Sequence, residues 1–383
     1  MEQVTLHKVE TKQDLKRFIH VTKAIYKEDP NWIQPLTIER MDALNPKKNP
    51  YFDHSEVQLW IAVQNGKDVG RISAQIDSLA QEKWGPNLAH FGFFEASNKE
   101  TAFALLKEAE NWAKERGMTR IQGPWSLSAN MEAGTLIDGY NTPPVAMMPH
   151  GRPDYKKWLA EKGYEKAKDL WAYKLDVLNG FPEQTHRIVK MAKKNKRLTL
   201  RELDLKHYDR DIETILSIFN DAWSDNWGYV PFTEAEGKHM AKELKPVIKP
   251  HRTIICEVDG EPAAFMVTIP DIYDAIKDLK GALFPFGIFK LLKRLVIDYP
   301  KRVRVPLMGV AQKFQRSPSG AAMAMWMINY SRDNVHSRGT EFGELSWILD
   351  DNEGMNKILI DIGCERYKTY RIFEKTLSTQ NEA

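Results

Sequence analysis

The sequence predicts an α/β protein with mixed sheets, built as two lobes in tandem. Three observations predict it. The chain has 383 residues, long for one hydrophobic core and ordinary for two. One order of elements (strand, helix, hairpin, strand, helix, strand, helix, strand) occurs twice, restarting near residue 198. Each copy has a two-residue turn at the same place in that order, Asn65-Gly66 in the first and Asp259-Gly260 in the second. Both are pairs that a tight hairpin favours.

In the first copy, "VTLHKVE" alternates as a short strand. The stretch from Thr11 follows, with Thr11 as N-cap and Leu15, Phe18, Ile19 and Val21 on one helical side. "VQLWIAV" and "DVGRISAQI" form the hairpin, and "AHFGFFEA" reads as a buried strand. An amphipathic helix runs from Asn98 to Gly117, then "TRIQGP" as strand, "DYKKWLAEKGY" as helix and "LWAYKLDV" as strand. In the second copy the strand "LTLRELD" leads to the helix "YDRDIETILSIFNDAW", and "RTIICEVDGEPAAFMVTIP" is the hairpin. "VRVPLMGV" is a strand, 320–338 a helix, "GELSWIL" a strand, "NEGMNKILIDIG" a helix and "YKTYRIFEKTL" the last strand. The lobes are expected at 1–178 and 198–383. The basic run "KMAKKNKR" suggests a linker over 179–197, with a solvated helix end as the alternative.

Composition narrows the function. Hydrophobic content of 42% with 28% charged residues is that of a globular protein, and a formal charge of +3 gives no nucleic-acid signal. Cys256 and Cys364 lack metal-ligand spacing, so two free thiols in a reducing cytoplasm are expected. No secretion signal opens the chain, and no apolar run reaches the roughly 20 residues that span a bilayer. Walker, dinucleotide and Ser–His–Asp signatures are absent, as is zinc spacing, so phosphoryl and hydride transfer have no support.

The element order, with "PLMGVAQKFQRSPSGAA" between a strand and a helix, resembles the GNAT acyltransferase superfamily. That loop looks like the superfamily's acyl-CoA loop, Gln/Arg-x-x-Gly-x-Gly/Ala, with Gln315 first, Pro318 at the first glycine and Gly320 at the last small position. "ELSWILDDNEGMNKILIDIGCERYKTYRIFEK" resembles the closing strand–helix–strand unit. The resemblance implies an acyl-CoA site at Met308, Val310, Gln315, Arg316, Ser317, Ser319, Gly320, Ala321 and Asn352. Two departures stand out. Pro318 removes one N–H from the loop, and Leu359 occupies the position where many members carry a tyrosine acid. In the first lobe, "ASNKETA" has neither glycine nor a suitable basic residue, so its cofactor site is read as eroded. The whole chain also resembles a group of bacterial proteins among which GNAT-type ceramide synthases occur, through 123–148, "LFPFG" and "ELSWILDDN".

Acyl transfer to an amine needs a neutral amine, a polarised carbonyl and a proton for the departing thiolate. The resemblance implies direct attack in a ternary complex. Glu344 is the candidate base, acting directly or through water, with a structural glutamate as the alternative. Asn130 and Glu132 are further catalytic candidates on a loop of the first lobe. Asn220, Trp223, Asn226, Trp227 and Tyr229 form an aromatic–amide cluster suited to a polar headgroup. Asn226, Trp227 and Tyr229 are the candidate ligands, and packing on the sheet, the commoner role of tryptophan, is the alternative. Between 284 and 299, Phe289, Leu291, Leu292 and Leu295 alternate with Lys290, Lys293 and Arg294. That pattern suits the membrane surface or a lid over an acyl chain, or a helix packed on the core. The expected activity is acyl-CoA-dependent N-acylation, with a lipid amine such as a sphingoid base as acceptor. Transfer to a small or peptidic amine and a non-catalytic binding protein are the alternatives.

Overall fold

Local chemistry sets the ends of most elements. In the computed structural model, which describes residues 3–245 and 248–377, β1 (Thr5–Lys8) leads into α1 (Lys12–Ile25). The Thr11 hydroxyl accepts from the Asp14 N–H while the Asp14 carboxylate accepts from the Thr11 N–H, a reciprocal cap. After α2 (Thr37–Ala43), β2 (Ser55–Gln64) and β3 (Lys67–Asp77) form the first hairpin. Asn65 and Gly66 both have positive φ, 51° and 69°, as the turn requires. Then come α3 (Ser78–Trp84), β4 (Leu88–Ala96) and α4 (Lys99–Glu115), which Asn98 caps by accepting from the Thr101 N–H. β5 (Arg120–Gly123), β6 (Trp125–Ser126), β7 (Glu132–Ala133), β8 (Thr135–Asp138), α5 (Pro153–Glu161) and β9 (Glu165–Asp176) follow.

The second series opens with α6 (Glu183–Lys194), inside the stretch whose lysines suggest a linker. Thr185, Val189 and Ala192 are buried on one side while Lys190, Lys193 and Lys194 stay exposed, so the helix alternative is what forms. Next are β10 (Leu198–Glu202), α7 (Tyr208–Trp223), α8 (Glu234–Leu244), β11 (Thr253–Val258) and β12 (Glu261–Pro270). The chain continues through α9 (Ile272–Ile276), α10 (Gly287–Leu292), β13 (Arg302–Val310) and α11 (Pro318–His336). It ends with β14 (Phe342–Leu349), α12 (Glu353–Asp361) and β15 (Glu365–Thr376). The expected helix over 320–338 starts two residues early because Ser317 caps it and Pro318 takes its first position, where a missing N–H costs nothing.

The chain forms two compact units. One holds Met1–Leu170, Ile276–Ile288 and Lys368–Ala383, and the other Trp171–Ala275 and Phe289–Tyr367. In the first unit β1 to β5 pair in sequence order, antiparallel except β4 with β5. The end of β15 adds to β5, with Phe373 opposite Gly123. In the second unit the order is β10, β11, β12, β13, β14, antiparallel except β13 with β14. β9 lies on the far side of β14. Each sheet thus takes its last strand from the other repeat. Both faces of each sheet are covered. In the second unit Ile254, Ala264 and Met266 pack with Met323 and Met327 of α11. The alternate residues Ile255, Phe265 and Val267 pack with Ile215 and Phe219 of α7, as the twofold period of a strand dictates.

Candidate active site

A break between two parallel strands makes the site. β13 and β14 pair from Arg302↔Phe342 to Val305↔Leu345 and no further, although both strands run on. The next residue is Pro306, which has no N–H to give a neighbour. On its other side β13 bulges against β12, where only Thr268 stands opposite Val305 and Pro306, between the pairs Val267↔Leu307 and Ile269↔Arg304. A bulge is one of the few sheet positions that accept proline, and it bends the strand. The opened space is a cleft lined by Val305, Pro306 and Met308 of β13 and by Leu345 to Leu349 of β14. Trp223, Asn226, Asn352 and Met355 complete the lining.

The loop after β13 is tightly built. Gln315 donates from Nε2 to the carbonyls of Ala222 and Val310, both at 2.9 Å, tying the loop to α7 and to the strand end. Arg316 is exposed, with φ of 55°. The Ser317 hydroxyl donates to the Phe314 carbonyl at 2.6 Å and accepts from the Gly320 N–H at 3.1 Å. A Cβ on Gly320 would lie 2.3 Å from the Phe314 oxygen, so only glycine fits there. The Ala321 N–H starts the helix by donating to the Ser317 carbonyl. Among the described bonds, the N–H groups of Arg316, Ser317 and Ser319 have no protein acceptor. This exposed arc, at the start of a 19-residue helix and beside a guanidinium, fits the oxygens of a pyrophosphate.

Of the residues singled out in the sequence, Met308, Asn352 and Asn226 meet at the cleft. Asn352 also caps α12 by accepting from the Met355 N–H. Tyr229 instead lies in the core and donates its hydroxyl to Asn220 at 2.8 Å. Trp227 is half-buried in the loop after α7. Asn130 and Glu132 belong to the first unit, where Glu132 is ion-paired with Arg40.

Glu344 is 0% exposed and is not among the residues that line the cleft. Its carboxylate accepts from the Ser346 hydroxyl on one oxygen and from the Tyr367 hydroxyl on the other. Trp223, of the same aromatic–amide cluster, also lines the cleft, as do Ser346 and Trp347, for which no role was read in "ELSWILDDN". The clue for Ser346 was spacing: it stands two residues beyond Glu344 on one strand, and so on the same face. Both cysteines are buried, and burial pushes each thiol up to about 12. They stay protonated at neutral pH and are poor nucleophiles.

In the first unit the corresponding strands β4 and β5 pair in parallel only from Leu88↔Arg120 to His90↔Gln122. There the opening is filled by backbone. A Cβ on Gly92 would lie 1.9 Å from the Trp125 carbonyl oxygen, and Gln75 donates from Nε2 to the carbonyls of Trp125 and Leu127.

No family model matches the chain. It is 46% identical over 371 residues to the bacterial ceramide synthase of Caulobacter vibrioides, covering 96% of each protein. It is 42% identical to protein YghO of Escherichia coli, over 96% of this chain and 94% of that one. Its fold overlays a tandem GNAT protein from the clavulanic acid biosynthesis pathway with a TM-score of 0.60 at 11% identity, covering 98% of this chain and 99% of that one. A GCN5-related N-acetyltransferase from Sphaerobacter thermophilus gives 0.55 at 10% identity, over 98% and 96%. With this likeness running almost end to end, the chain belongs to the bacterial ceramide synthase family, a GNAT-type N-acyltransferase with two units in tandem.

Proposed function

We propose that the chain joins a fatty acyl group, supplied as its CoA thioester, to the primary amine of a sphingoid base. The observation that carries the reading is the cleft where β13 and β14 part, continuous along β13 with the exposed N–H arc of 316–319. The 46% identity to a protein named ceramide synthase supports the choice of a lipid amine.

In this reading the thioester supplies an activated carbonyl, and the protein supplies position and proton handling. Arg316 and the N–H groups of Arg316, Ser317 and Ser319 hold the pyrophosphate. Met308, Asn352 and the parted strands hold the arm that follows it. Glu344 takes up the proton that the amine must lose. The first unit, whose opening is filled by Trp125, contributes no second CoA site.

The segment 284–299 is read as a peripheral contact with the membrane surface. Phe284, Phe286, Phe289, Leu292, Val296 and Ile297 are between 51% and 74% exposed. The segment also carries Lys290, Lys293 and Arg294 against one carboxylate, Asp298, which is ion-paired with Lys293. Large apolar side chains interleaved with cations suit the headgroup layer of an anionic leaflet, which also holds the amine.

A donor and acceptor panel tests the reading. Palmitoyl-CoA with sphinganine should yield an N-acyl product by mass spectrometry, with acetyl-CoA and small amines far slower. Efficient acetylation of a small amine, with palmitoyl-CoA and sphinganine ignored, overturns it.

A further inference from the structure

We propose that Ser346 is the residue that receives the proton of the acceptor amine, passing its own to Glu344, and that Arg304 positions it. The inference rests on the N-acyl-transfer reading and names the group that meets the amine.

Glu344 and Ser346 stand two residues apart on β14 and share a face. Glu344 does not line the cleft, and both its oxygens already accept a hydroxyl. Ser346 does line the cleft although only 2% exposed. A serine hydroxyl has one proton to give and two acceptor positions. The proton is given to Glu344. One acceptor position takes the Arg304 Nε–H at 3.0 Å. The second has no described partner, and it is what an ammonium N–H needs on reaching the cleft.

Arg304 is suited to a positioning role. It is 3% exposed and sits opposite Glu344 in the parallel ladder. It holds Ser346 at two points, through Nε to the hydroxyl and through a terminal nitrogen to the Ser346 carbonyl at 3.1 Å. That grip fixes the hydroxyl with its proton toward Glu344, since the guanidinium has only donors to offer.

The ammonium gives one proton to the Ser346 oxygen while the Ser346 proton moves to Glu344. The freed nitrogen lone pair forms the C–N bond, and the C–S bond breaks with its electron pair going to sulfur. The second nitrogen proton ends on the departing thiolate, giving amide and free CoA. Glu344 returns its proton to solvent through Ser346 before the next turnover.

The test uses the full chain with palmitoyl-CoA and sphinganine in vesicles. Ser346→Ala should lower kcat on the order of a hundredfold or more, with KM for palmitoyl-CoA within threefold and the melting temperature preserved. The deficit should shrink as pH rises, because more of the amine is then already neutral. Ser346→Thr, which keeps the hydroxyl, should recover most of the rate. Arg304→Lys should lower kcat about tenfold in the parent, and much less once Ser346 is alanine, because the two act as one unit. A Ser346→Ala enzyme within threefold of the parent, with an unchanged pH profile, overturns the relay. Equal losses from Arg304→Lys in both backgrounds overturn the positioning role. If the unsubstituted chain makes no N-acyl product at all, it is the acyl-transfer reading that fails.

Discussion

The indole N–H of Trp223 donates to the carbonyl of Met308 at 3.1 Å. Met308 lies beyond the last β13–β14 pair, in the part of the strand that borders the cleft. Trp223 therefore satisfies a backbone group of the opened strand while forming a wall of the cleft. Trp223→Phe keeps the ring and loses the bond. It should lower stability by about 0.5–1.5 kcal/mol, the usual net worth of a hydrogen bond between half-buried groups, and weaken CoA binding. Urea unfolding and calorimetry check the two effects, and a variant with parental values in both refutes this role.

Arg316→Glu replaces the one cation of the N–H arc with a repelling charge. Arg316 is exposed and its backbone keeps the same turn, so the fold should be unaffected. The Kd for CoA should rise roughly tenfold or more, while dephosphorylated pantetheine analogues should bind both forms alike. Unchanged CoA affinity by calorimetry counts against the loop as the pyrophosphate site.

Serine at Phe286, Phe289 and Leu292 together removes three exposed apolar side chains from the segment assigned to the membrane. Each contributes on the order of 1.5–3 kcal/mol when fully buried, so partitioning onto anionic vesicles should fall by roughly a hundredfold or more. Acylation of a detergent-dispersed amine should change little. Equal co-sedimentation of parent and variant with vesicles removes the membrane contact from the account.

His90 supplies a pH prediction. Burial pushes its imidazole down to about 4, with Asp77 raising it and Arg120 lowering it by smaller amounts. In the unfolded chain a histidine titrates near 6.5. Between those values the unfolded chain binds a proton that the folded chain does not. Stability should therefore fall as pH drops from about 6.5 toward 4, by about 1.4 kcal/mol per unit within that window, and His90 adds no slope above it. His90→Gln should flatten this part of the curve of unfolding free energy against pH. A curve of unchanged slope shows that another group causes it.

The sequence revealed what neighbouring residues decide among themselves. Thr11 with Asp14, Asn65 with Gly66, and Ser317 with Pro318 each fix a cap or a turn through bonds a few residues long. Those signals were enough to order the main strands and helices and to point to the loop at 315–321, but not to show α2, α3, α8 to α10 or β6 to β8. Choices made across the chain left no such mark. Which sheet receives β9 and which receives β15 depends on pairing between distant segments. Tyr229 looked like a headgroup ligand because its neighbours are polar, but Asn220 and the core claim it. Ser346 left only its spacing from Glu344 as a mark. Its role comes from Arg304 on the adjacent strand and from the opening that begins at Pro306.

The central claim, direct transfer from a CoA thioester to a lipid amine, is tested most directly by a single turnover with enzyme in excess over palmitoyl-CoA. Quenched samples are assayed for free thiol and for N-acyl sphinganine. The account predicts that both appear together with one rate constant, and that almost no thiol is released when the amine is left out. A burst of thiol without amine, accompanied by acylated protein in the mass spectrum, would contradict it.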